Sequence, residues 1–144
     1  MFYVRNTMNK PEAVPMEKTT LVLGASPNPE RYSYLAVERL RAHGRKVVAL
    51  GARSGNIAGV PILTDPALVE KPIDTVTLYL GPDNQVKFFD FIIDLSPRRV
   101  VFNPGAENPV FERMLVERGI VVQRACTLVM LSAGTYDLCS QVEP

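Results

Sequence analysis

From Thr19 onward the chain alternates short, nearly continuous apolar runs with stretches in which apolar residues recur every three or four positions. The first run, Leu21-Val22-Leu23, has the composition of a buried strand. Tyr34 to His43 follows as an amphipathic helix, begun near Tyr32, with Ala36, Val37 and Leu40 on one face and Gly44 as its stop. Lys46 to Leu50 is a second strand, Gly51 to Asn56 a loop, and Val60 to Leu63 a short strand. Asp65 to Glu70 forms a weak helical turn between Pro66 and Pro72. Asp74 opens the next strand, Thr75 to Leu80. Asn84 to Leu95 reads as one helix, because Phe88, Phe89, Ile92 and Ile93 make a single stripe and leave Asp90 and Asp94 to a solvated face. Arg99 to Phe102 is the next strand. Asn108 as N-cap and Pro109 at the first helical position then start a helix that buries Phe111, Met114 and Leu115. Gly119 ends it before a last strand, Ile120 to Val122.

Apolar strands separated by helices require a sheet covered on both faces and joined by right-handed crossovers. The expected fold is therefore α/β, a Rossmann-like three-layer sandwich with a mostly parallel sheet of five or six strands. In such a sheet ligands bind beyond the carboxyl ends of the strands, where strand order reverses. The loops beginning at Gly24, Gly51 and Gly81 converge there, with Asn103-Pro104-Gly105 adjacent.

With 144 residues, 47% of them apolar and 22% charged, the chain has the makings of one ordinary globular domain. The periodic pattern places that domain at residues 19–144, with residues 1–18 as an appendage of which 1–15 are dispensable. A net charge of +1 supplies no broad field to gather nucleic acid or an anionic membrane, so any anion site is local. Cys126 and Cys139 lack metal-ligand spacing, and a single histidine accompanies them, which argues against a zinc site and for a reducing compartment. Without a signal-like or membrane-length apolar run, the expected location is cytoplasmic.

The candidate chemistry lies in Gly24-Ala25-Ser26-Pro27-Asn28-Pro29, where a strand runs into a small-residue turn before a helix. Gly24 lets backbone approach a ligand, and the helix N-terminus beyond offers unpaired N–H groups and a positive dipole end. A dinucleotide-binding turn reads G-x-G-x-x-G, whereas Gly24 is the only glycine between Leu23 and Gly44. An NAD site also needs an acid after the second strand to accept from the ribose hydroxyls, and the chain has Gly51-Ala52-Arg53 there. The guanidinium of Arg53 donates instead, which suits a ribose-bound phosphate. Coenzyme A and NADP both carry one.

Together, the Gly24 to Pro29 turn with Tyr32-Ser33-Tyr34, the basic residue after the second strand, Asp74, and Phe102-Asn103-Pro104-Gly105-Ala106-Glu107-Asn108 resemble the CoA-binding protein family. Its domain is similar to the N-terminal domain of the succinyl-CoA synthetase alpha subunit. The resemblance covers residues 18–131 and implies a Rossmann-like domain that binds coenzyme A or an acyl-CoA. It puts Gly24, Ala25, Ser26 and Pro27 around the pyrophosphate, Ser33 on the helix beside them, and Arg53 near the adenosine phosphate. Leu80, Gly81, Asn103, Pro104 and Gly105 then line the pantetheine path. Family members often have Asn-Pro-Lys where this chain has Gly51-Ala52-Arg53, which keeps the charge but changes its geometry.

No catalytic set accompanies this turn. His43 falls in the last turn of the first helix, where it caps carbonyls rather than carrying phosphate. Ser26 has neither a nucleophile elbow nor a nearby base, so its hydroxyl serves to bind. Ser33 has a plain alternative as N-cap of the first helix. Cys126 follows the last strand at the ligand edge, where a buried inert thiol is the commoner case. Glu107 stabilises its loop or the next helix. The expected function is a stand-alone, non-catalytic protein that binds coenzyme A or an acyl-CoA, a metabolic sensor or carrier, with an NADP-dependent reductase or other nucleotide-cofactor enzyme as the rival reading.

Overall fold

The structure is a computed structural model that describes residues 18–138. All of the expected appendage except Lys18 lies outside the described residues, as does Cys139. A seven-stranded sheet in the order β3-β4-β2-β1-β5-β6-β7 forms the centre. Its strands are β1 (Thr19–Ala25), β2 (Lys46–Gly51), β3 (Gly55–Ile57), β4 (Val60–Leu63), β5 (Thr75–Leu78), β6 (Arg99–Phe102) and β7 (Val121–Arg124). All neighbours pair in parallel except β3 and β4, an antiparallel hairpin in which Gly55 faces Ile62. That hairpin explains the strand beyond the expected six. Gly55 and Asn56 end the expected Gly51–Asn56 loop, yet with Ile57 they pair with β4, and Asn56 Oδ1 accepts from Gly59 N to close the turn between the two strands.

The parallel strands are apolar throughout because both faces are covered. One face carries α1 (Tyr32–Ala42) and α5 (Thr127–Ala133), which bury Val37, Leu40, Met130 and Leu131 against Val22, Ala49 and Val101. The opposite face carries α3 (Phe89–Leu95) and α4 (Pro109–Glu117), packing Ile92, Phe111 and Leu115 against Leu21, Val76 and Val100. Phe89 stacks on Phe111 with centroids 4.1 Å apart, tying those two helices together. Helix α4 starts as its sequence dictates, with Asn108 Oδ1 accepting from Phe111 N at 3.2 Å and Pro109 opening the first turn.

Three further features depart from the expected pattern. The segment after β5 is not one helix but α2 (Pro82–Gln85), a 3₁₀ turn (Val86–Phe88) and then α3. Phe88 and Phe89 are both half-buried there. Ser33 is not the N-cap of α1; Arg31 holds that position and Ser33 is buried inside the first turn. Helix α5 was not anticipated, because Leu128 to Leu131 is an unbroken apolar run without helical periodicity, closed by Gly134 at φ +75°.

Among the described residues no helix is long and apolar enough to cross a membrane, and no group of three or more potential ligands could hold a metal ion. At the N-terminal edge of the sheet, Asp74 accepts two bonds from Arg98, both at 2.8 Å, and one from Thr75. Burial opposes its ionisation, but Arg98 and Thr75 outweigh that cost and hold its pKa below the usual aspartate value. Asp74 therefore serves the framework at the end of the sheet opposite the carboxyl-end loops.

Candidate functional site

Strand order reverses between β1 and β5, since α1 carries the chain from β1 to one side and the later strands build out on the other. The turn after β1 is held open at that point. Gly24 has φ +97°, and a Cβ there would stand 2.9 Å from the Tyr79 carbonyl oxygen and 3.1 Å from Leu80 Cδ2. Both the backbone angle and the close approach of the β5 end require glycine. Gly51 meets a similar demand across the β1–β2 pair, because its Cβ would sit 2.0 Å from the Ala25 carbonyl oxygen. The shift in register between Leu23 and Ala25 brings that carbonyl close.

Two concave spaces flank this turn. The larger, of about 580 Å³, extends from Ser26 and the first turn of α1 over Gly24 to the loops after β5 and β6. It brings together Gly24, Ser26, Ser33, Leu80, Gly81, Pro104 and Gly105 of the expected site. The smaller, of about 330 Å³, lies on the other side of the same ridge, between the ends of β1, β2 and β4 and the helical segment after β5. Gly24 and Leu80 line both.

The turn is shaped by its own side chains. Ser26 Oγ accepts from Asn28 N at 3.1 Å, and Asn28 Oδ1 accepts from Glu30 N at 3.0 Å. Acceptance from Asn28 leaves the Ser26 O–H free to donate into the cleft. At the start of α1 the Tyr34 N–H already donates to the Arg31 carbonyl at 3.1 Å, which leaves the N–H groups of Tyr32 and Ser33, two residues that line the cleft, without intrahelical partners, and no acid stands in the first turn to offset the dipole. Two charged residues absent from the sequence expectation line the cleft, Glu30 and Arg31. Their sequence signal is slight, since they occupy an ordinary solvated stretch before the helix.

The remaining expected residues fall elsewhere. Ala25 is buried in β1, and Pro27 packs towards Gly55 of the hairpin, where a Cβ would meet its Cβ at 2.8 Å. Asn103 has its side chain committed to the framework. Its amide donates to Thr77 Oγ1 at 2.7 Å and to the Leu78 carbonyl at 2.8 Å, and Oδ1 accepts from Thr127 N at 2.9 Å. At 2% exposure it joins β6 to β5 and α5 rather than offering its side chain to a ligand. Arg53 is exposed and lines neither space, although Ala52 beside it lines the smaller one.

A second internal clamp sets the width of the cleft. Gln85, fully buried, donates from Nε2 to the carbonyls of Leu80 (2.9 Å) and Ala106 (2.7 Å), and its Oε1 accepts from Asn108 Nδ2 (3.0 Å). It thus holds the loop after β5 to the loop after β6. Sequence gave no signal for this beyond a polar residue in an otherwise apolar-facing segment.

Tyr79 also lines the cleft, and its hydroxyl is buried without a hydrogen bond of good geometry. Burial pushes its pKa up to about 12, against a smaller opposing influence of the Thr127 and Thr77 hydroxyls, which bond each other at 2.8 Å. Tyr79 is thus a neutral wall at physiological pH. His43 Nδ1 donates to the Arg39 carbonyl at 2.8 Å, the capping role its position suggested. Glu107 accepts from Gly105 N at 2.9 Å and so braces its own loop. Cys126 is a free, half-buried thiol at the N-cap of α5 and lines neither space.

A doubly wound sheet with a glycine turn beneath a helix N-terminus defines a class of cofactor-binding domains that hold a phosphate at the strand carboxyl ends. A family model described as CoA binding domain matches residues 18–132, and the chain belongs to that family. A solved structure titled only as an uncharacterized protein is 48% identical, covering 82% of this chain and 97% of its own, with a TM-score of 0.78. A Thermus thermophilus protein, cell-free ID.343, shares the fold at 24% identity and TM-score 0.74, covering 83% of this chain and 90% of its own. A dinucleotide-forming acetyl-coenzyme A synthetase from Ca. Korarchaeum cryptofilum, solved with phosphate and ADP, shares it at 17% identity and TM-score 0.63. That match covers 75% of this chain but 25% of the synthetase. Among curated proteins none matches.

Proposed function

We propose that this chain binds coenzyme A or an acyl-CoA as a stand-alone, non-catalytic module. The observation that carries the reading is the Gly24 turn at φ +97°, opening below the N-terminus of α1 into a cleft of about 580 Å³ in a chain of the CoA binding domain family. The pyrophosphate lies over Gly24, accepting from the Ser26 hydroxyl and the first N–H groups of α1. Arg31 supplies a cation beside it. The pantetheine arm runs over Leu80 and Gly81 towards Pro104 and Gly105, with the Gln85 clamp fixing the spacing of those two loops. The adenosine end extends across the Gly24–Leu80 ridge towards the β2 loop that carries Arg53.

The cleft lines up binding groups rather than an acid–base pair. Glu30 is its one carboxylate among the described residues, and the Tyr79 phenol titrates far above neutrality. The test incubates the purified chain with acetyl-CoA and, separately, with NADPH and a panel of carbonyl compounds, following both retention of the ligand and its chemical change. Retention of acetyl-CoA without hydrolysis or transfer supports the reading. Oxidation of NADPH, or thioester cleavage lost on Glu30→Gln, would replace it with an enzymatic one.

A further inference from the structure

The coenzyme A reading leaves open which cation meets a phosphate on the ribose, and the inference drawn here rests on that reading. Arg53 has the right chemistry but lines neither space. The smaller chamber has a cation of its own. Lys87, in the 3₁₀ turn after α2, lines it together with Asn84, Phe88, Ala52 and Thr64. We propose that Lys87 is the residue that determines specificity for a ribose-bound phosphate.

Four observations support this assignment. The chamber shares Gly24 and Leu80 with the larger cleft, so a ligand whose diphosphate lies over Gly24 enters it directly at its nucleoside end. Its walls suit a nucleoside: Leu23, Leu80 and Phe88 are apolar, while Asn84 and Thr64 supply a few polar groups. Lys87 is the one charged residue lining it, and no carboxylate among the described residues opposes an anion there. Exposed as it is, the Lys87 ammonium lies over a wall of the chamber, with Nζ 5.4 Å from the centroid of the Phe88 ring.

Asn84, Lys87 and Phe88 line the chamber at i, i+3 and i+4, the spacing that puts side chains on one face of a helical segment. Lysine suits a phosphate of variable pose, because its ammonium acts as a point charge on a flexible stem rather than a fixed fork.

The test measures affinities of the wild type, Lys87→Gln, Lys87→Arg and Arg53→Gln for coenzyme A and for dephospho-coenzyme A, which lacks only the ribose phosphate. The expected result is that Lys87→Gln weakens coenzyme A by about tenfold, equivalent to about 1.4 kcal/mol, and dephospho-coenzyme A by less than about twofold, while Lys87→Arg retains most of the difference. Equal losses for both ligands would mean a general attraction for the diphosphate and overturn the assignment. So would selective loss in Arg53→Gln with Lys87→Gln unchanged. Failure of the wild type to bind either ligand would instead remove the coenzyme A reading itself, and circular dichroism of each variant separates loss of binding from loss of fold.

Discussion

Replacing Gly24 with alanine separates the demands of the turn from those of its neighbours. At φ +97° any residue with a Cβ is strained, by roughly 1–2 kcal/mol. The new Cβ would also press on the Tyr79 carbonyl at 2.9 Å and its carbon at 3.0 Å, backbone atoms of a strand end that cannot swing away. Overpacking of that kind adds about 1–3 kcal/mol. Gly44 supplies the control, with φ +74° but open space around its Cβ, so Gly44→Ala carries the angle strain alone. Urea denaturation should therefore show Gly24→Ala less stable than Gly44→Ala by about 1–3 kcal/mol, or about 4–12 °C in Tm. Because the atoms displaced form the ridge between the two spaces, Gly24→Ala should also weaken coenzyme A beyond what Gly44→Ala does. Equal stability losses in the two variants would refute the claim that the β5 end closes on this turn. Equal affinities would refute the claim that the ridge carries the ligand.

Three further outcomes follow from the same geometry. Asn103→Ala should cost about 2–4 kcal/mol by urea denaturation, because it strands the buried Leu78 carbonyl and Thr127 N–H while leaving the cleft lining unchanged. Asp74→Asn should flatten the acid limb of stability: the folded-state pKa is depressed, so the stabilisation is present in full above the ordinary aspartate pKa and lost as pH falls below it through the lower folded-state pKa, which thermal melts between neutral and strongly acidic pH would detect. Glu30→Gln should strengthen coenzyme A binding by about two- to threefold at low salt, with the gain fading as salt is added, because it removes a like charge from the phosphate cleft.

Much of the architecture was legible because it follows from short-range pattern. Apolar runs at Leu21, Val76 and Val100, each set between turn residues and amphipathic segments, read as strands buried on both faces, and Asn108-Pro109 and Gly119 mark helix ends by local chemistry. The misread elements are those whose form depends on distant partners. Gly55 and Asn56, expected in a loop, are strand because they pair with β4, and α5, for which the pattern offers no helix, has Thr127 N at its start held by Asn103 Oδ1. The site divides the same way. Gly24 and Ser26 announce themselves by a turn sequence, and the structure brings them together with Gly81, Pro104 and Gly105 in one cleft.

Asn103 and Gln85 show what a sequence does not display. A polar residue beside a ligand loop reads as a ligand group, yet whether its amide points outwards or inwards depends on carbonyls 20 or more residues away. Asn103 points inwards to Thr77 and Leu78, and Gln85 points inwards to Ala106. Arg53 poses the converse problem. Its charge at the end of β2 suggests a phosphate partner, but Arg53 lines neither space, whereas Lys87 lines the smaller one.

The most direct measurement is a calorimetric titration of the purified chain with coenzyme A, followed by NADP and NAD under the same conditions. The account predicts saturable one-to-one binding of coenzyme A that is clearly tighter than binding of either dinucleotide and is weakened by Ser26→Ala. Absence of coenzyme A binding, or a preference for NAD or NADP, would contradict it.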